Sequence, residues 1–411
     1  MEIFRTTPKF TVFPRRLNTN MLNTIFPSWP SFTAEEAEAV SQTLLSNKVN
    51  YWTGQKCREF EKEFADATFV SYAIALTNGT VALDLCWNVL GIQPGDEIIV
   101  TPRTFLASAS SIINAGAIPV FADIDADSQN ITPETASCVL TKKTRAILCV
   151  HLAGWPCDMD GFQALAKAHN LLLVEDCAQA NGATWRGRPI GSLSDIAAWS
   201  FCQDKIMTTG GEGGMVTTNS RELWSKGWSL KDHGKSWDAV YERIHPPGFR
   251  WLHETIGTNW RMLEMQAAIG RIQLRNLPEW TSKRAANSHQ IFAAADRITA
   301  LRVPKIPEEV GHAFYKAYVF VKPEALAEGW TRDRIVQEMN TRGVPCYQGS
   351  CSEVYLEKAF DNAPGRPAQR LPVAQTLGET SLMFLVHPTL EEKNISKTCE
   401  VLATVMKEAS R

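Results

Sequence analysis

The sequence predicts an α/β protein with a large domain built on a mixed, mostly parallel sheet, followed by a smaller α+β domain. Two observations predict this class. Between about residues 70 and 220, short β-branched or aliphatic runs alternate with longer amphipathic stretches, which is typical of strands joined by helices. The chain of 411 residues, with 44% hydrophobic and 21% charged residues, is also long enough for two domains with full cores.

Short apolar runs are the candidate strands of the large domain. They are AIAL (73–76), EIIV (97–100), PVFADI (119–124), RAILCV (145–150), LLLVED (171–176), IAAWSF (196–201) and GGMVTT (213–218). Between them, Ala82, Leu85 and Val89 recur at helical spacing, and Asp158 is a candidate cap for a later helix. In open α/β sheets ligands bind beyond the carboxyl ends of the strands, so the polar residues found there are candidate functional residues.

The remaining elements predict a second, smaller domain. RMLEMQAAIGRIQLRNL (261–277) has the pattern of a long amphipathic helix that bridges two domains. After it, HAFYKAYVFV (312–321) and SLMFLVHPTL (381–390) are typical of strands, and TRDRIVQEMNTRG (331–343) of a helix that stops at a glycine. We therefore predict an N-terminal arm over residues 1–30, a large domain over 31–275 and a small C-terminal domain over 276–411.

Composition excludes several functions. The 42 Lys and Arg residues are balanced by 44 Asp and Glu residues, which gives no reason to expect nucleic-acid binding. The ten cysteines contain no C-x-x-C pair, and no secretory signal or spanning segment is evident, so we expect a cytoplasmic protein without membrane association. Residues 1–28 show no clear period and include a second methionine, Met21; no function is assigned to them.

The segment TNGT follows the first candidate strand. Asn78, Gly79 and Thr80 would place free backbone N–H groups and a hydroxyl at a helix N-terminus, which favours a bound phosphate. The alternative is a plain strand-to-helix turn in which Thr80 is the cap.

The segment VEDCAQA ends another strand. A carboxylate such as Asp176 is costly there unless a cation or hydrogen-bond donors meet it. The protonated pyridine nitrogen of pyridoxal phosphate (PLP) would be such a cation, because PLP enzymes use an aspartate to keep the ring an electron sink. The alternative is a helix-capping aspartate. Gln179 would either reach the phenolic oxygen of the cofactor or cap a turn.

The segment SFCQDKIMTTGGEGG places Ser200 at a strand end and Lys205 in the following loop. Most lysines are solvated surface charges. Here a hydroxyl five residues upstream could hold a phosphate while the Lys205 amine reaches an aldehyde, and the glycines allow close backbone packing. The run from Gly211 to Gly214 has neither the spacing of a P-loop nor that of a dinucleotide-binding fingerprint, so a nicotinamide oxidoreductase is not indicated.

Together, TNGTVALDL, GDEIIVTPRTFLAS, GAIPVFADID, VHLAGWPCDMDGF, VEDCAQANGA, SFCQDKIMTTGGEGGM and GTNWRMLEMQAAIGRIQL occur in a familiar order and spacing. The chain resembles the DegT/DnrJ/StrS sugar aminotransferases from about residue 30 to the C-terminus, most specifically between 75 and 275. The resemblance implies the aspartate-aminotransferase fold (fold type I PLP), with the cofactor bound by the large domain.

The resemblance also implies roles for particular residues. Lys205 resembles the lysine that forms the imine with PLP and moves the substrate proton. Asp176 resembles the partner of the pyridine nitrogen, and Gln179 the residue beside the phenolic oxygen. Phe105 corresponds to the aromatic residue that lies against the cofactor face. Three further residues match phosphate-binding positions: Gly79, Thr80 and Ser200.

Three more candidate site residues have less support: the resemblance implies Asn259 and His233, and Tyr347 is only a candidate for the substrate cleft. Asn259 matches an asparagine that reaches the phosphate from the neighbouring subunit, which implies a homodimer with active sites at the interface. His233 lies in a loop near the substrate in relatives, although an ordinary loop histidine is an equal alternative. Tyr347, with Trp155 and Arg188, would line a sugar-nucleotide cleft, or would be only a surface residue.

The sequence departs from the family pattern in three places. Asn78 stands where serine is common, and Cys202 stands where an aromatic residue is frequent, so the substrate wall differs there. Gly210 and Gly211 form a double glycine where many relatives have one.

The implied reaction moves an amino group from an amino acid, most simply L-glutamate, to a nucleotide-linked keto-sugar, with a 4-keto-6-deoxy sugar preferred. Such products feed glycan, O-antigen or antibiotic pathways. Alternatives within the family are a 3-keto-sugar, a cyclitol or an aromatic precursor as acceptor, or a PLP-dependent sugar dehydratase. Dehydratases replace the lysine or need clustered cysteines, neither of which holds here. A non-catalytic binding or regulatory module is the alternative from a different class. No metal is expected.

Overall fold

The computed structural model describes residues 24–411. Its strands, numbered along the chain, are β1 (Tyr72–Leu76), β2 (Glu97–Val100), β3 (Ile118–Phe121), β4 (Thr144–Val150), β5 (Leu172–Asp176), β6 (Thr184–Trp185), β7 (Arg188–Pro189), β8 (Ile196–Ser200), β9 (Gly214–Thr218), β10 (Leu301–Arg302), β11 (Val310–Gly311), β12 (Ala317–Val321), β13 (Cys346–Tyr347) and β14 (Ser381–Phe384). The strands predicted for the large domain all form, each within a few residues of its predicted bounds.

The helices follow the same numbering. They are α1 (Ala34–Leu45), α2 (Lys56–Thr68), α3 (Gly79–Val89), α4 (Leu106–Asn114), α5 (Pro133–Ser137), α6 (Met159–His169), α7 (Arg221–Leu230), α8 (Trp237–Tyr241), α9 (Glu264–Ala295), α10 (Arg332–Thr341), α11 (Pro372–Thr380) and α12 (Glu392–Ala409). Capping side chains fix the N-termini of several helices. The predicted cap Asp158 accepts a hydrogen bond from Gly161 N–H at 3.0 Å at the start of α6.

A seven-stranded sheet forms the centre of the large domain, in the order β1-β9-β8-β5-β4-β2-β3. The strands are parallel except β9, which runs antiparallel between β1 and β8. Their side chains are largely buried on both faces, as expected for strands covered by helices on both sides. The prediction of a mixed, mostly parallel sheet is confirmed, and the parallel strands bring their carboxyl ends to one edge.

The smaller C-terminal part is an antiparallel sheet in the order β10-β12-β14-β13, with α10 and α12 packed against each other beside it. The strand predicted at 312–321 is shorter than expected. Residues 313–315 instead bond to the chain at 153–154, because Ala313 N–H donates to the Gly154 carbonyl and Tyr315 N–H to the Ala153 carbonyl, each at 2.9 Å. This contact brings Tyr315 and its neighbour toward the large sheet.

Helix α9 is longer than the sequence predicts. The predicted helix ends at residue 277, but α9 continues through Pro278 to Ala295, because its second half buries apolar side chains such as Ile291 in the core of the small domain. It packs against α1 and α2 as well as α12, and so bridges both parts as expected. The domain boundary at 275/276, which falls inside α9, stays a prediction. None of the helices in residues 24–411 is long and apolar enough to cross a membrane.

Candidate active site

A cavity of about 600 Å³ opens at the carboxyl edge of the large sheet. The loops after β1, β5 and β8 and the start of α4 line it, as the rule for open α/β sheets predicts. All seven predicted cofactor residues of this chain's own site contribute to the lining: Gly79, Thr80, Phe105, Asp176, Gln179, Ser200 and Lys205. The structure therefore brings together residues that lie up to 126 positions apart, from residue 79 to residue 205.

One end of the cavity is formed by the start of α3. Asn78, not Thr80, is the cap of this helix, since Asn78 Oδ1 accepts a hydrogen bond from Val81 N–H at 2.9 Å. The alternative with Thr80 as cap is therefore wrong. The N–H groups of Gly79 and Thr80 have no acceptor among the described residues, and together with the helix dipole they favour an anion.

Ser200 faces the start of α3 across this end of the cavity. A Cβ atom on Gly79 would lie 2.6 Å from Ser200 Cβ and 3.0 Å from its Oγ, so only glycine allows this approach. Ser200 is largely buried and its Oγ accepts a hydrogen bond from Cys202 N–H at 3.3 Å. A hydroxyl and two free N–H groups thus converge on the same space.

We expect Gly79→Ala to weaken phosphate and cofactor binding. The added methyl group forces Ser200 away from α3, and overpacking of about 1–3 kcal/mol corresponds to a roughly fivefold to 150-fold rise in the dissociation constant. Equilibrium titration with PLP, followed by absorbance, measures the effect. The double variant Gly79→Ala/Ser200→Gly should relieve the overlap but not restore the hydroxyl; unchanged PLP affinity in Gly79→Ala would contradict the assignment of this end to the phosphate.

Asp176 lies in the middle of the cavity and is 5% exposed. Its Oδ2 accepts a hydrogen bond from Ser108 Oγ at 2.7 Å, and its Oδ1 accepts one from Ala178 N–H at 3.1 Å. Burial raises the pKa of this carboxyl, although the two hydrogen bonds and Lys205 oppose the shift. No lysine or arginine in residues 24–411 forms an ion pair with Asp176 within 4 Å, so a cation in the cavity would be well placed to stabilise it.

Gln179 borders the cavity beside Asp176. Its Oε1 accepts a hydrogen bond from Ala153 N–H at 2.9 Å, which orients the amide and leaves its Nε2 donor without a partner in the described part of the chain. Ala153 itself has a φ of 56°, in the left-handed region, so the backbone is held in a specific shape at this contact. Gln179 can therefore offer a donor to an oxygen in the cavity.

Lys205 follows β8 in a short turn, in which its N–H donates to the Cys202 carbonyl at 3.1 Å. Its side chain is 15% exposed, and Nζ lies 3.8 Å from Asp204 Oδ1 and 5.4 Å from the centroid of the Tyr315 ring. Its carbonyl accepts a hydrogen bond from Trp29 Nε1 at 2.7 Å. Lys205 is thus a partly desolvated amine on a backbone that is fixed from two sides.

The glycine run after Lys205 shapes its loop. Gly210 and Gly211 have φ angles of 91° and 130°, where a side chain is strained, so the double glycine is required by the backbone. Cys202, another of the three positions at which the sequence departs from the family pattern, lines the cavity close to Glu212.

A second cavity of about 490 Å³ adjoins the first. Phe105, Gln179 and Lys205 line both cavities. Phe105 is 67% exposed, so its ring is free to contact a ligand. The second cavity is completed by the small domain, through the residues Tyr315, Lys316, Gly349, Ser350, Cys351, Val354, Glu357 and Met383.

Three predicted residues lie outside both cavities. Asn259 and His233 are exposed on neighbouring loops, where His233 N–H donates to the Thr258 carbonyl at 2.9 Å. Tyr347 is 46% exposed on β13, and residues 349–351 reach the second cavity instead. The roles assigned to Asn259, His233 and Tyr347 stay predictions.

Two further residues considered for a sugar-nucleotide cleft are placed elsewhere. Trp155 is buried in the core, with its ring 5.4 Å from that of His312. Arg188 forms a surface ion pair with Asp160 at 2.5 Å. Neither residue lines either cavity. The sequence suggested both because local sequence does not reveal which way a loop residue faces.

A buried polar cluster lies behind Asp176. His151, Glu175 and Cys177 each place a potential ligand atom within 4.8 Å of the others. The Glu175 carboxylate, however, accepts from His151 Nε2 at 3.0 Å and from two N–H groups and a hydroxyl in residues 191–194 at 2.8–3.0 Å. Cys157 N–H donates to His151 Nδ1 at 3.0 Å, which fixes the proton on Nε2. This geometry is that of a hydrogen-bonded network rather than an open metal site.

Four residues at the site were missed in the sequence. Ser108 supports Asp176, and its position three residues after Phe105 on a helix could have suggested that both face the same way. Asp204 accepts a hydrogen bond from Tyr315 OH beside Lys205. Lys316 lines the second cavity. Tyr315 and Lys316 could not be recognised from the motifs, because they come from a part of the chain far from the loops that line the first cavity.

The residues present fit PLP. The buried Asp176 carboxylate has no ion-pair partner within 4 Å in residues 24–411, the start of α3 with Ser200 offers donors to a phosphate, Phe105 exposes a ring face, and Lys205 supplies the amine. These four requirements are met within one cavity.

Fold and site together define the class of protein, which is that of the fold type I PLP aminotransferases. The solved structure of the aminotransferase from Psychrobacter cryohalolentis has a TM-score of 0.91 and 60% sequence identity to this chain, and the match covers 93% of this chain and 99% of that one.

The family follows from the sequence comparisons. Residues 30–403 match the DegT/DnrJ/EryC1/StrS aminotransferase family, and the chain belongs to this family. The GDP-perosamine synthase of Caulobacter vibrioides is 36% identical over 385 residues, which cover 92% of this chain and 97% of that one. The dTDP-3-amino-3,4,6-trideoxy-alpha-D-glucose transaminase of Streptomyces venezuelae is 32% identical over 365 residues, 89% of this chain and 90% of that one. The predicted family and enzyme class, a sugar aminotransferase, are confirmed.

Proposed function

We propose that the protein binds PLP and moves an amino group from an amino acid, L-glutamate, to a nucleotide-linked keto-sugar. The observation that carries this proposal is the convergence of Lys205 and Asp176 on one cavity whose end is formed by α3 and Ser200. When bound, PLP supplies an electron sink and carries the amino group between the two substrates. The different-class alternative, a non-catalytic module, has no need for this intact set of residues.

Each residue has a specific part in this proposal. The N–H groups of Gly79 and Thr80 and the hydroxyl of Ser200 hold the phosphate. Asp176, oriented by Ser108, pairs with the pyridine nitrogen and favours its protonated form. Because the residues at this end are buried or fixed by hydrogen bonds, little reorganisation is needed on binding.

The other three residues act at the reacting end of the proposed cofactor site. Gln179 donates to the phenolic oxygen, and Phe105 packs on the ring. Lys205 then moves the proton to and from the carbon that gains or loses the amine, as general acid and base.

The proposed acceptor is a 4-keto-6-deoxy sugar linked to a nucleotide, and its product would enter glycan, O-antigen or antibiotic amino-sugar synthesis. A 3-keto-sugar is the second candidate, and the similarity to a transaminase whose name specifies a 3-amino sugar favours it. A dehydratase of the same family is disfavoured because Lys205 is retained at the cavity and the cysteines there are not clustered.

We also propose that the protein is a cytoplasmic homodimer with active sites at the interface. The loop segment around Asn259 exposes large apolar side chains: Ile244 (95%), Phe249 (78%), Trp251 (79%) and Ile256 (95%). An apolar surface of this kind favours burial against a protein partner. In such a dimer, Asn259 would approach the phosphate of the other subunit's cofactor.

A panel of substrates tests the proposed reaction. The enzyme is loaded with pyridoxamine phosphate and offered 3-keto and 4-keto nucleotide sugars, and mass spectrometry identifies the one that gains an amine. We expect a 4-keto-6-deoxy sugar to react fastest. A 3-keto-sugar reacting faster would select the second candidate, and loss of water without amine gain would indicate a dehydratase. If no sugar reacts, the result counts against a sugar acceptor.

A further inference from the structure

We propose that Lys316 binds the α-carboxylate of the amino-acid donor in the second cavity, and this inference rests on the proposed transamination. Lys316 immediately precedes β12 and lines the cavity that the small domain completes. Apart from Lys205, it is the one cationic side chain among the described residues that line the two cavities. An amino acid brings a carboxylate into the site in every donor half-reaction, so the site needs such a cation.

In the described part of the chain, the Lys316 ammonium forms no ion pair. Among residues 24–411 no carboxylate lies within 4.0 Å of its Nζ, and its nearest aromatic contact is the Tyr315 ring, whose centroid is 4.7 Å away. Burial, and then the nearby Arg284, lower the pKa of Lys316 to about 8, so it still carries a charge at neutral pH. A half-buried, unpaired ammonium beside a cavity is costly until an anion meets it.

The surroundings of Lys316 reinforce the excess of positive charge. Arg284 on α9 is 1% exposed, and its Nε and one terminal nitrogen are buried without a partner in the described chain. Its remaining hydrogen bond goes to the Tyr315 carbonyl at 3.3 Å. Among the described residues, the carboxylate of Asp204, already bonded to Tyr315 OH and 3.8 Å from Lys205, opposes this excess at Lys316, and Glu357 also lines the second cavity.

Lys205 and Lys316 share one aromatic neighbour, Tyr315, and both line the second cavity. The Nζ atoms of Lys205 and Lys316 lie 5.4 Å and 4.7 Å from the centroid of the same Tyr315 ring. In an α-amino acid, the carboxylate is bonded to the very carbon that loses the amine. In a nucleotide-linked sugar, the sugar ring separates the keto carbon from the phosphates. Because both lysines line the second cavity, a donor whose amine is at Lys205 carries its α-carboxylate into the cavity that Lys316 lines, and the sugar half-reaction tests a phosphate as the alternative.

The two half-reactions separate the proposal from its alternatives. The holoenzyme variant Lys316→Met is mixed with L-glutamate or L-glutamine, and the conversion of the bound cofactor is followed by absorbance. The same variant loaded with pyridoxamine phosphate is mixed with the reactive keto-sugar. We expect kcat/KM to fall at least about tenfold for both donors, since they share the α-carboxylate, and to change less than about twofold for the sugar. Calorimetric binding of 2-oxoglutarate to the pyridoxamine form should weaken in parallel.

Two further variants make the result specific. Lys316→Arg keeps the charge and should retain most donor activity, whereas Lys305→Met, an exposed lysine of the same part of the chain, should behave as wild type. An unchanged donor half-reaction in Lys316→Met, or a larger loss in the sugar half-reaction, would overturn the proposal; the latter result would assign Lys316 to the acceptor. If the wild-type enzyme itself takes no amine from an amino acid, the proposed function fails rather than this inference.

Discussion

Lys205→Ala should lower turnover on the order of 10^4-fold, the upper end of what a positioned proton-transfer group contributes. The expected loss is large because, among residues 24–411, Lys205 is the only amine that lines the first cavity, whereas Lys316 lines the second cavity alone. Steady-state amination of the keto-sugar, with product detected by mass spectrometry, measures the effect. The visible absorbance band of the bound cofactor should change in the same variant.

Controls can distinguish loss of chemistry from loss of fold. Lys226→Ala removes an exposed lysine of α7 that pairs only with Glu222, and should leave turnover unchanged. A small primary amine added to Lys205→Ala should restore part of the proton transfer, because the variant leaves space where the side chain was. Turnover of Lys205→Ala close to that of Lys226→Ala would refute the central role of Lys205.

Asp176→Asn should lower kcat/KM by about 10²–10³-fold, the usual cost of removing a preorganised electrostatic contact. The substitution keeps the shape of the side chain and removes its charge, so the pyridine nitrogen would lose its anionic partner. Transient kinetics of the donor half-reaction provide the measurement, and PLP titration should show weaker binding.

Two comparisons sharpen the interpretation of Asp176→Asn. Ser108→Ala removes the supporting hydrogen bond of 2.7 Å to Asp176, together with the contact of 2.9 Å between the Ser108 and Thr104 hydroxyls, and should cost about tenfold, as expected for a hydrogen bond to a charged group. The exposed Asp66→Asn on α2 should have no effect. A loss in Ser108→Ala that equals the loss in Asp176→Asn would mean that positioning, not charge, is what Asp176 provides.

The parts of the site that could be predicted lie directly after strands. Asp176, Ser200 and the start of α3 each follow a hydrophobic run, and the parallel arrangement of β1, β5 and β8 brings them to one edge. Local sequence patterns, such as the glycine at position 79 directly after a strand, were therefore enough to predict the cofactor residues that line the first cavity. The exact cap, Asn78 rather than Thr80, depends on which side chain bonds to Val81 N–H, and the motif allowed either.

The second cavity could not be predicted because it depends on contacts between distant segments. Tyr315 and Lys316 reach Lys205 only because residues 313–315 bond to the chain at 153–154 instead of continuing β12. Likewise, Trp29 belongs to the predicted N-terminal arm and was given no role from the sequence, yet its indole N–H donates to the Lys205 carbonyl and its ring packs on Trp280 at 5.1 Å. Residues 1–23 of that arm lie outside the described part of the chain.

The antiparallel strand β9 has a consequence for how the amine can move. Because β8 runs toward the cavity and β9 runs away from it, the segment 201–213 leaves and re-enters the sheet at the same edge. Between these two strands, the Trp29 indole N–H donates a hydrogen bond to the Lys205 carbonyl and so fixes the backbone of the segment at that residue. In the proposed reaction, the movement of the Lys205 amine between donor and acceptor would therefore come from its side-chain torsions rather than from a shift of the main chain.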